Sequence, residues 1–287
     1  MRTNYQYRVL CIVFLCLLSF TAMGQKKITI LHTNDTHSRI EPFGKNQPDA
    51  SMIDKAGFVR RATFIAQERK TDKDLLLFDC GDFSQGSPYY TLFKGDVEIS
   101  LMNEMKYDAV AIGNHEFDYG LDNMAKLFRM ATFPVVCANY RVEGTVLENL
   151  VKPYVILKRD GLKIGVFGLS PRLMGLVQNK NCSGIYYMDP VECANQAADE
   201  LKNKEKCDLV ICLSHLGWKG QMSDEYLIPR SHNIDIVLGG HSHSLFDKPI
   251  YYNDADGKSV LLNQMGKNGQ YVGQLTVFME KNKAKKK

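Results

Sequence analysis

Short apolar runs that end in polar clusters alternate along this chain with stretches whose apolar positions recur every three to four residues. KITILHTND (27–35) reads as a strand running into a turn. GFVRRATFIAQERK (57–70) sets Phe58, Ala62 and Ile65 at i, i+4 and i+7 among basic residues, the spacing of an amphipathic helix. The alternation continues with a buried strand at DLLLFDCGDF (74–83), a helix at 96–106, a strand at AVAIGN (109–114), a helix near 120–130 and a strand at FPVVCANY (133–140). YVILKRDGLKIGVFGLS (154–170) reads as a hairpin turning at Asp160-Gly161. A helix over 189–204 precedes two more buried strands, DLVICLSH (208–215) and IDIVLGGHSH (234–243). The segments 249–266 and 270–280 read as antiparallel strands with a turn at Asp256-Gly257. Apolar strands alternating with helices predict an α/β domain with sheets covered on both sides, and no linker divides residues 25–280.

The first 24 residues break this pattern. Arg2 and Arg8 lead into VLCIVFLCLLSF (9–20), and small residues follow at Ala22 and Gly24. The apolar run is too short to span a bilayer as a helix. It reads as a secretory signal peptide cut before Gln25, which predicts a periplasmic or secreted protein with no membrane span in the mature chain. The chain is 45% hydrophobic and 24% charged, an ordinary globular composition. Its formal charge of +4 falls to +2 without the two arginines, which argues against a nucleic-acid polymer as partner. KNKAKKK (281–287) reads as a solvated basic tail. Six cysteines remain after cleavage, with no CxxC among them; Cys80 and Cys212 lie in apolar runs and read as buried thiols.

The chemistry is concentrated where the apolar runs stop. NDTH offers Asp35 and His37, CGD offers Asp82, GNHEFD offers Asn114, His115 and Asp118, LSH offers His215, and GGHSH offers His241 and His243. Five of the chain's seven histidines fall in these clusters. Loops at the carboxyl ends of strands are where open α/β sheets build sites. Asp35/His37 and His241/His243 are i, i+2 pairs, so in extended chain both members face one side. Oxygen and imidazole donors without thiolate suit Mn, Fe, Co or Zn. Their number exceeds what one ion needs and predicts two divalent transition-metal ions sharing a bridging carboxylate.

In this order, D-x-H, G-D, G-N-H-E, H and G-H-x-H resemble the motifs of the calcineurin-like metallophosphoesterase superfamily. The longer strings LHTNDTHSRIEP, GDFSQGSPYYTLFKG, GNHEFDYG and GGHSH resemble the catalytic domain of bacterial exported 5′-nucleotidases and UDP-sugar hydrolases, over residues 26–280. The resemblance implies a four-layer α/β/β/α sandwich with a dinuclear centre between its sheets. Asp35, His37 and His243 would then bind one metal, Asn114, His215 and His241 the other, and Asp82 both. His115, held by Asp118, would be the catalytic histidine. Glu116 would support the site without being a ligand. Of the two histidines outside the motifs, His32 reads as structural and His232 as solvated.

The implied reaction is attack of a metal-activated hydroxide on a phosphate ester, a small-molecule substrate. Asn114 and His115 would contact the phosphoryl group, with His115 donating a proton to the leaving oxygen or stabilising its charge. Full-length nucleotidases of this type carry a C-terminal domain that grips the base. This chain is expected to lack it, and a separate protein is expected to supply it if one is needed. The resemblance leaves open a 2′,3′-cyclic phosphodiesterase, a UDP-sugar hydrolase, a thiosulfate-releasing hydrolase, or a catalytic subunit inactive without its partner.

Overall fold

The computed structural model describes residues 26–279, so the proposed signal segment (1–24) and basic tail (281–287) lie outside the described residues. In chain order the strands are β1 (Lys26–Thr33), β2 (Leu76–Asp79), β3 (Ala109–Ala111), β4 (Val135–Val136), β5 (Tyr140–Arg141), β6 (Val151–Lys152) and β7 (Tyr154–Arg159). They continue as β8 (Leu162–Leu169), β9 (Tyr186–Tyr187), β10 (Leu209–Ser214), β11 (Ile236–Leu238), β12 (Ile250–Asn253), β13 (Ser259–Asn263) and β14 (Gly273–Met279). The helices are α1 (Phe58–Thr71), α2 (Pro88–Phe93), α3 (Asp96–Met105), α4 (Gly120–Met130), α5 (Pro190–Asp199) and α6 (Asp224–Leu227).

One six-stranded sheet has the order β14-β1-β2-β3-β4-β6, the other β12-β13-β11-β10-β8-β7, and β5 and β9 form a small third sheet. The inner strands run parallel; β14, β12 and β7 are antiparallel edges. Between the two large sheets lies a dry layer that includes Ile30, Phe78, Ala111, Ile164, Ile211 and Leu238. On the outer face of the first sheet α1, α3 and α4 bury Ile65, Ile99, Met102, Met124 and Leu127. On the outer face of the second, α5 and α6 bury Ala194, Ala198 and Leu227. The result is the expected four-layer α/β/β/α arrangement. Both faces of each sheet are covered, which is why the strands read as continuous apolar runs.

Local chemistry sets the helix starts. Ser87 and Asp189 accept hydrogen bonds from first-turn N–H groups, with Pro88 and Pro190 next in chain. Three expectations shift. The strand at 133–140 divides into β4 and β5, because Ala138 N–H leaves the first sheet to bond Gly168 O on β8. The helix at 189–204 ends in a wide turn over Glu200–Lys204. The C-terminal strands divide between the sheets: β12 and β13 extend the second, while β14 returns beside β1. The outward placement of the basic residues on α1 also fails at Arg61, which is buried. The six cysteines among the described residues are free thiols, Cys80 and Cys212 fully buried.

Candidate metal centre

The carboxyl ends of β1, β2 and β3 in one sheet and of β10 and β11 in the other meet at one end of the sandwich. Each is followed at once by one of the polar clusters. Two groups of potential ligands form there: Asp35, His37 and His243, and Asp82, His215 and His241, the ligand atoms of each group within 4.8 Å of one another. Asp35 Oδ1 lies 3.4 Å from His243 Nε2, 3.8 Å from His37 Nε2 and 3.9 Å from His215 Nε2, so the two groups abut. Asn114 is buried at the same rim, next to Gly113, where a Cβ would overlap the Asp82 carboxylate. His115 N–H donates to Asp82 Oδ1 (2.9 Å), and its ring centroid is 5.5 Å from that of His37. Its Nδ1 is 3.0 Å from Asp118 Oδ2, the one contact that orients the ring.

Backbone carbonyls select the imidazole tautomers. His215 Nδ1 lies 2.6 Å from Cys80 O and His37 Nδ1 lies 3.3 Å from Ser84 O. A carbonyl accepts only from N–H, so Nδ1 carries a proton in each ring and Nε2 is the atom turned inward. His37 Nε2 and His243 Nε2 then face each other at 3.0 Å. His215 Nε2 is 3.1 Å from Asp82 Oδ2 but out of line for a hydrogen bond, and both it and Asn114 Oδ1 are buried without a hydrogen-bond partner. Buried acceptors left this way are costly unless something electropositive meets them. The donors are carboxylate, amide and imidazole, with no thiolate. These observations fit two divalent metal ions.

Electrostatics divide the ligands in the metal-free chain. Burial opposes charge on both Asp82 and His215, but their mutual attraction prevails: Asp82 is held well below the usual carboxylate range and His215 is raised to about 10, so a cation bound there would displace the proton on His215 Nε2. Burial lowers His37 and His241, favouring the neutral ring a metal requires. At His115 burial also pulls downward, yet the hydrogen bond to Asp118 and the charge of Asp82 give a net upward shift.

The second layer of residues was only partly visible in the sequence. Glu116 accepts from Gly113 N–H (2.7 Å), Asp82 N–H (3.0 Å) and Ser84 N–H (3.1 Å), tying the loop after β2 to the loop after β3. Asn34 donates to Asp35 Oδ2 (2.6 Å) and to Gly266 O, and its Oδ1 accepts from Met265 N–H. Gln264 braces the loop after β11. Gln264 lies in no motif, and Asn34, though it opens NDTH, was not singled out there; for Gln264 the adjacent amides Asn263 and Gln264 inside the run LLNQMG were the available signal. His32 is fully buried and held near pKa 3 by burial, whereas His232 is exposed and faces Asp256.

The sequence profile of the calcineurin-like phosphoesterase domain matches residues 28–245. The chain belongs to the calcineurin-like phosphoesterase family. Over 286 aligned residues it is 30% identical to the snake venom 5′-nucleotidase of Crotalus adamanteus, covering 93% of this chain and 48% of that protein. A 5′-nucleotidase precursor from Thermus thermophilus superposes with a TM-score of 0.80 at 31% identity, covering 88% of this chain and 51% of that one. The calcineurin-like phosphoesterase YfkN from Bacillus subtilis superposes at 0.74 and 30% identity, covering 90% of this chain and 86% of that structure. This phosphoesterase chain thus spans about half the length of the curated 5′-nucleotidases it matches. Among the described residues no helix is long and apolar enough to cross a membrane.

Proposed function

We propose that this chain hydrolyses phosphate monoesters, nucleoside 5′-monophosphates among them, at the rim where the two sheets meet. What carries the reading is the juxtaposition of two abutting ligand groups with an aspartate-held histidine, in a phosphoesterase-family chain. Asp35, His37 and His243 would hold one divalent cation, and Asn114, His215 and His241 the other, and Asp82 would be shared between them. The bound cations would supply Lewis acidity toward a phosphoryl oxygen and lower the pKa of a water molecule.

The remaining work falls to the chain itself. Asn114 and His115 would orient the phosphoryl group, the Asn114 amide N–H contacting one of its oxygens. His115, with Nδ1 committed to Asp118, can hold a proton on Nε2, and that hydrogen bond together with the charge of Asp82 shifts its pKa upward against burial, which favours the protonated ring. Water adds to phosphorus, the P–O bond to the leaving group breaks, the Nε2 proton passes to the departing oxygen, and a proton released from the added water restores Nε2–H. The hydrogen bonds of Glu116 and Asp118 would hold these groups in position for the reaction.

The described residues supply the phosphoryl end of such a site. Recognition of the base is assigned to protein outside residues 26–279, whether further polypeptide or a separate chain; the half-length match to the relatives supports this. Residues 1–24, read as an export signal, would place the reaction in the periplasm or outside the cell. The test is a substrate panel with purified protein and added Mn²⁺, Co²⁺ or Zn²⁺. Metal-dependent release of phosphate from nitrophenyl phosphate and from AMP at similar low efficiency is expected. No hydrolysis of any monoester with any of the metals would overturn the reading. Strong preference for AMP over other nucleotides would place base recognition within this chain.

A further inference from the structure

His241 and His243 belong to different ligand groups, and both sit in one short turn after β11. Each takes a left-handed backbone conformation, φ 70° at His241 and 54° at His243. A non-glycine residue rarely stays there unless its surroundings hold it. Gln264, at the end of β13, is the group that meets this turn. It is fully buried, and its amide is used along the turn's length. Nε2–H donates to Gly240 O (2.9 Å), while Oε1 accepts from Ser242 Oγ–H (2.9 Å) and Ser244 N–H (2.5 Å). Those three partners bracket His241 and His243. Room for the amide depends on Gly239, where a Cβ would lie 3.0 Å from Gln264 Nε2.

The opposite side of the turn is anchored separately. His241 N–H donates to Asp35 Oδ2 (2.9 Å), and Asn34 holds Asp35 against the backbone of Met265 and Gly266. Ser242 Oγ also accepts from Trp218 N–H (3.0 Å). Nothing but Gln264 reaches both ends of the turn among these contacts.

We infer that Gln264 is a positioning residue that fixes the His241–His243 turn in its ligand-presenting conformation and so sets the affinity of both cation sites at once. The inference rests on the metal-centre reading above. A ligand acts on its own ion, whereas a brace shared by two ligands of two ions acts on both. Outer partners of metal ligands characteristically control affinity by about 10–100-fold.

The experiment compares wild type, Gln264→Met and His243→Ala by Co²⁺ titration of metal-stripped protein, following the visible absorption of the bound ion. Methionine keeps the length of glutamine and removes all three hydrogen bonds. The expected result for Gln264→Met is a loss of about 10–100-fold in affinity at both sites, with a near-native far-UV spectrum. His243→Ala should weaken one site far more than the other. A brace that only stabilised the fold would lower the melting temperature and leave Co²⁺ affinity unchanged in the folded protein, and that result would overturn the inference. Gln264→Glu keeps the acceptor oxygen but not the donor to Gly240 O, and should give a smaller loss at both sites. If the methionine variant does not fold, unchanged affinity in the glutamate variant overturns the inference instead. Amide hydrogen exchange at Ser244 in metal-free protein separates the two readings. If wild type bound no Co²⁺, the metal-centre reading would fall, and the brace would still be judged by whether Gln264→Met exposes that amide.

Discussion

The layer between the two sheets and the rim above it are built on opposite principles. Between the sheets, Ile28, Ile30, Ile164, Ile211 and Leu213 occupy regular strands and are essentially solvent-free, held by burial of apolar surface with no special backbone geometry. Two to five residues past the ends of β1, β2 and β11, Asp35, His37, Asp82, His241 and His243 all take left-handed backbone conformations, each at a cost of roughly 1–3 kcal/mol. Their side chains are polar and crowded, and Asn34, Glu116 and Gln264 hold their loops. The core can therefore be lightened without moving the chemistry, while the rim can lose its chemistry and leave the fold standing.

The largest effect should come from the rim's most connected carboxylate. Asp82 faces His215, accepts from His115 N–H and has its own N–H held by Glu116. Asp82→Ala should release both ions and abolish hydrolysis, with a native-like far-UV spectrum. Metal content by elemental analysis checks it, and two ions with full activity would sink the assignment. His115→Ala should act on chemistry without acting on metal. Turnover should fall by about 10²–10⁴-fold at near-normal metal content. The loss should shrink for substrates with good leaving groups, such as nitrophenyl phosphate, because they need less protonation at the departing oxygen. Equal losses for every leaving group would remove the proton-donor role.

A single change in the dry layer should do the reverse. Ile164 is fully buried near the start of β8, at the far end of its strand from the rim. Ile164→Ala should cost about 2–5 kcal/mol of stability. Denaturant unfolding measures the loss. Activity per folded molecule, assayed well below the melting temperature, should stay close to wild type, and a fall matching that of a rim variant would mean that core and rim are not separable.

The two regions also differed in how far sequence revealed them. The apolar runs of β1, β2, β8, β10 and β11 and the spacing of α1 predicted sheets covered on both sides, because burial on both faces leaves a direct mark on composition, while the four layers were implied by the family resemblance. The strand-end motifs singled out Asp35, Asp82, His215 and the other rim residues, and the structure brings them together. Less legible was what holds them. Gln264 and Asn34 act through single amides, and two of the three partners of each are backbone groups, which carry no sequence signature. The break between β4 and β5 was hidden for the same reason: Ala138 N–H simply changes sheets. Arg61 is buried on a helix whose Arg60 and Lys70 are exposed, and nothing in the helical period marks it for burial.

Asp79 lies on the border between the two regions, and it offers the smallest and most pointed test of the contrast. It ends β2, is fully buried, and accepts from Gly81 N–H (2.9 Å) and Thr33 Oγ–H (2.6 Å). Burial raises its pKa to about 7 despite those hydrogen bonds; Glu116 adds to the rise and Arg61 opposes it. In the unfolded chain the same carboxyl titrates near 4. Between about pH 4 and 7 the folded protein keeps a proton that the unfolded chain has released. Stability from this group is therefore full below about pH 4, declines as pH rises through that window, and is gone above about 7. Asp79→Asn keeps an acceptor for Gly81 N–H and removes the titration. Relative to wild type, the asparagine variant should gain melting temperature as pH rises from 5 to 8, by on the order of a few degrees. Calorimetry on chelator-treated protein at constant ionic strength measures it, with bound metal removed as a competing source of pH dependence. A difference in melting temperature that stays constant from pH 4.5 to 8.5 would show that Asp79 is ionised throughout, and would move it from the dry layer into the charged network of the rim.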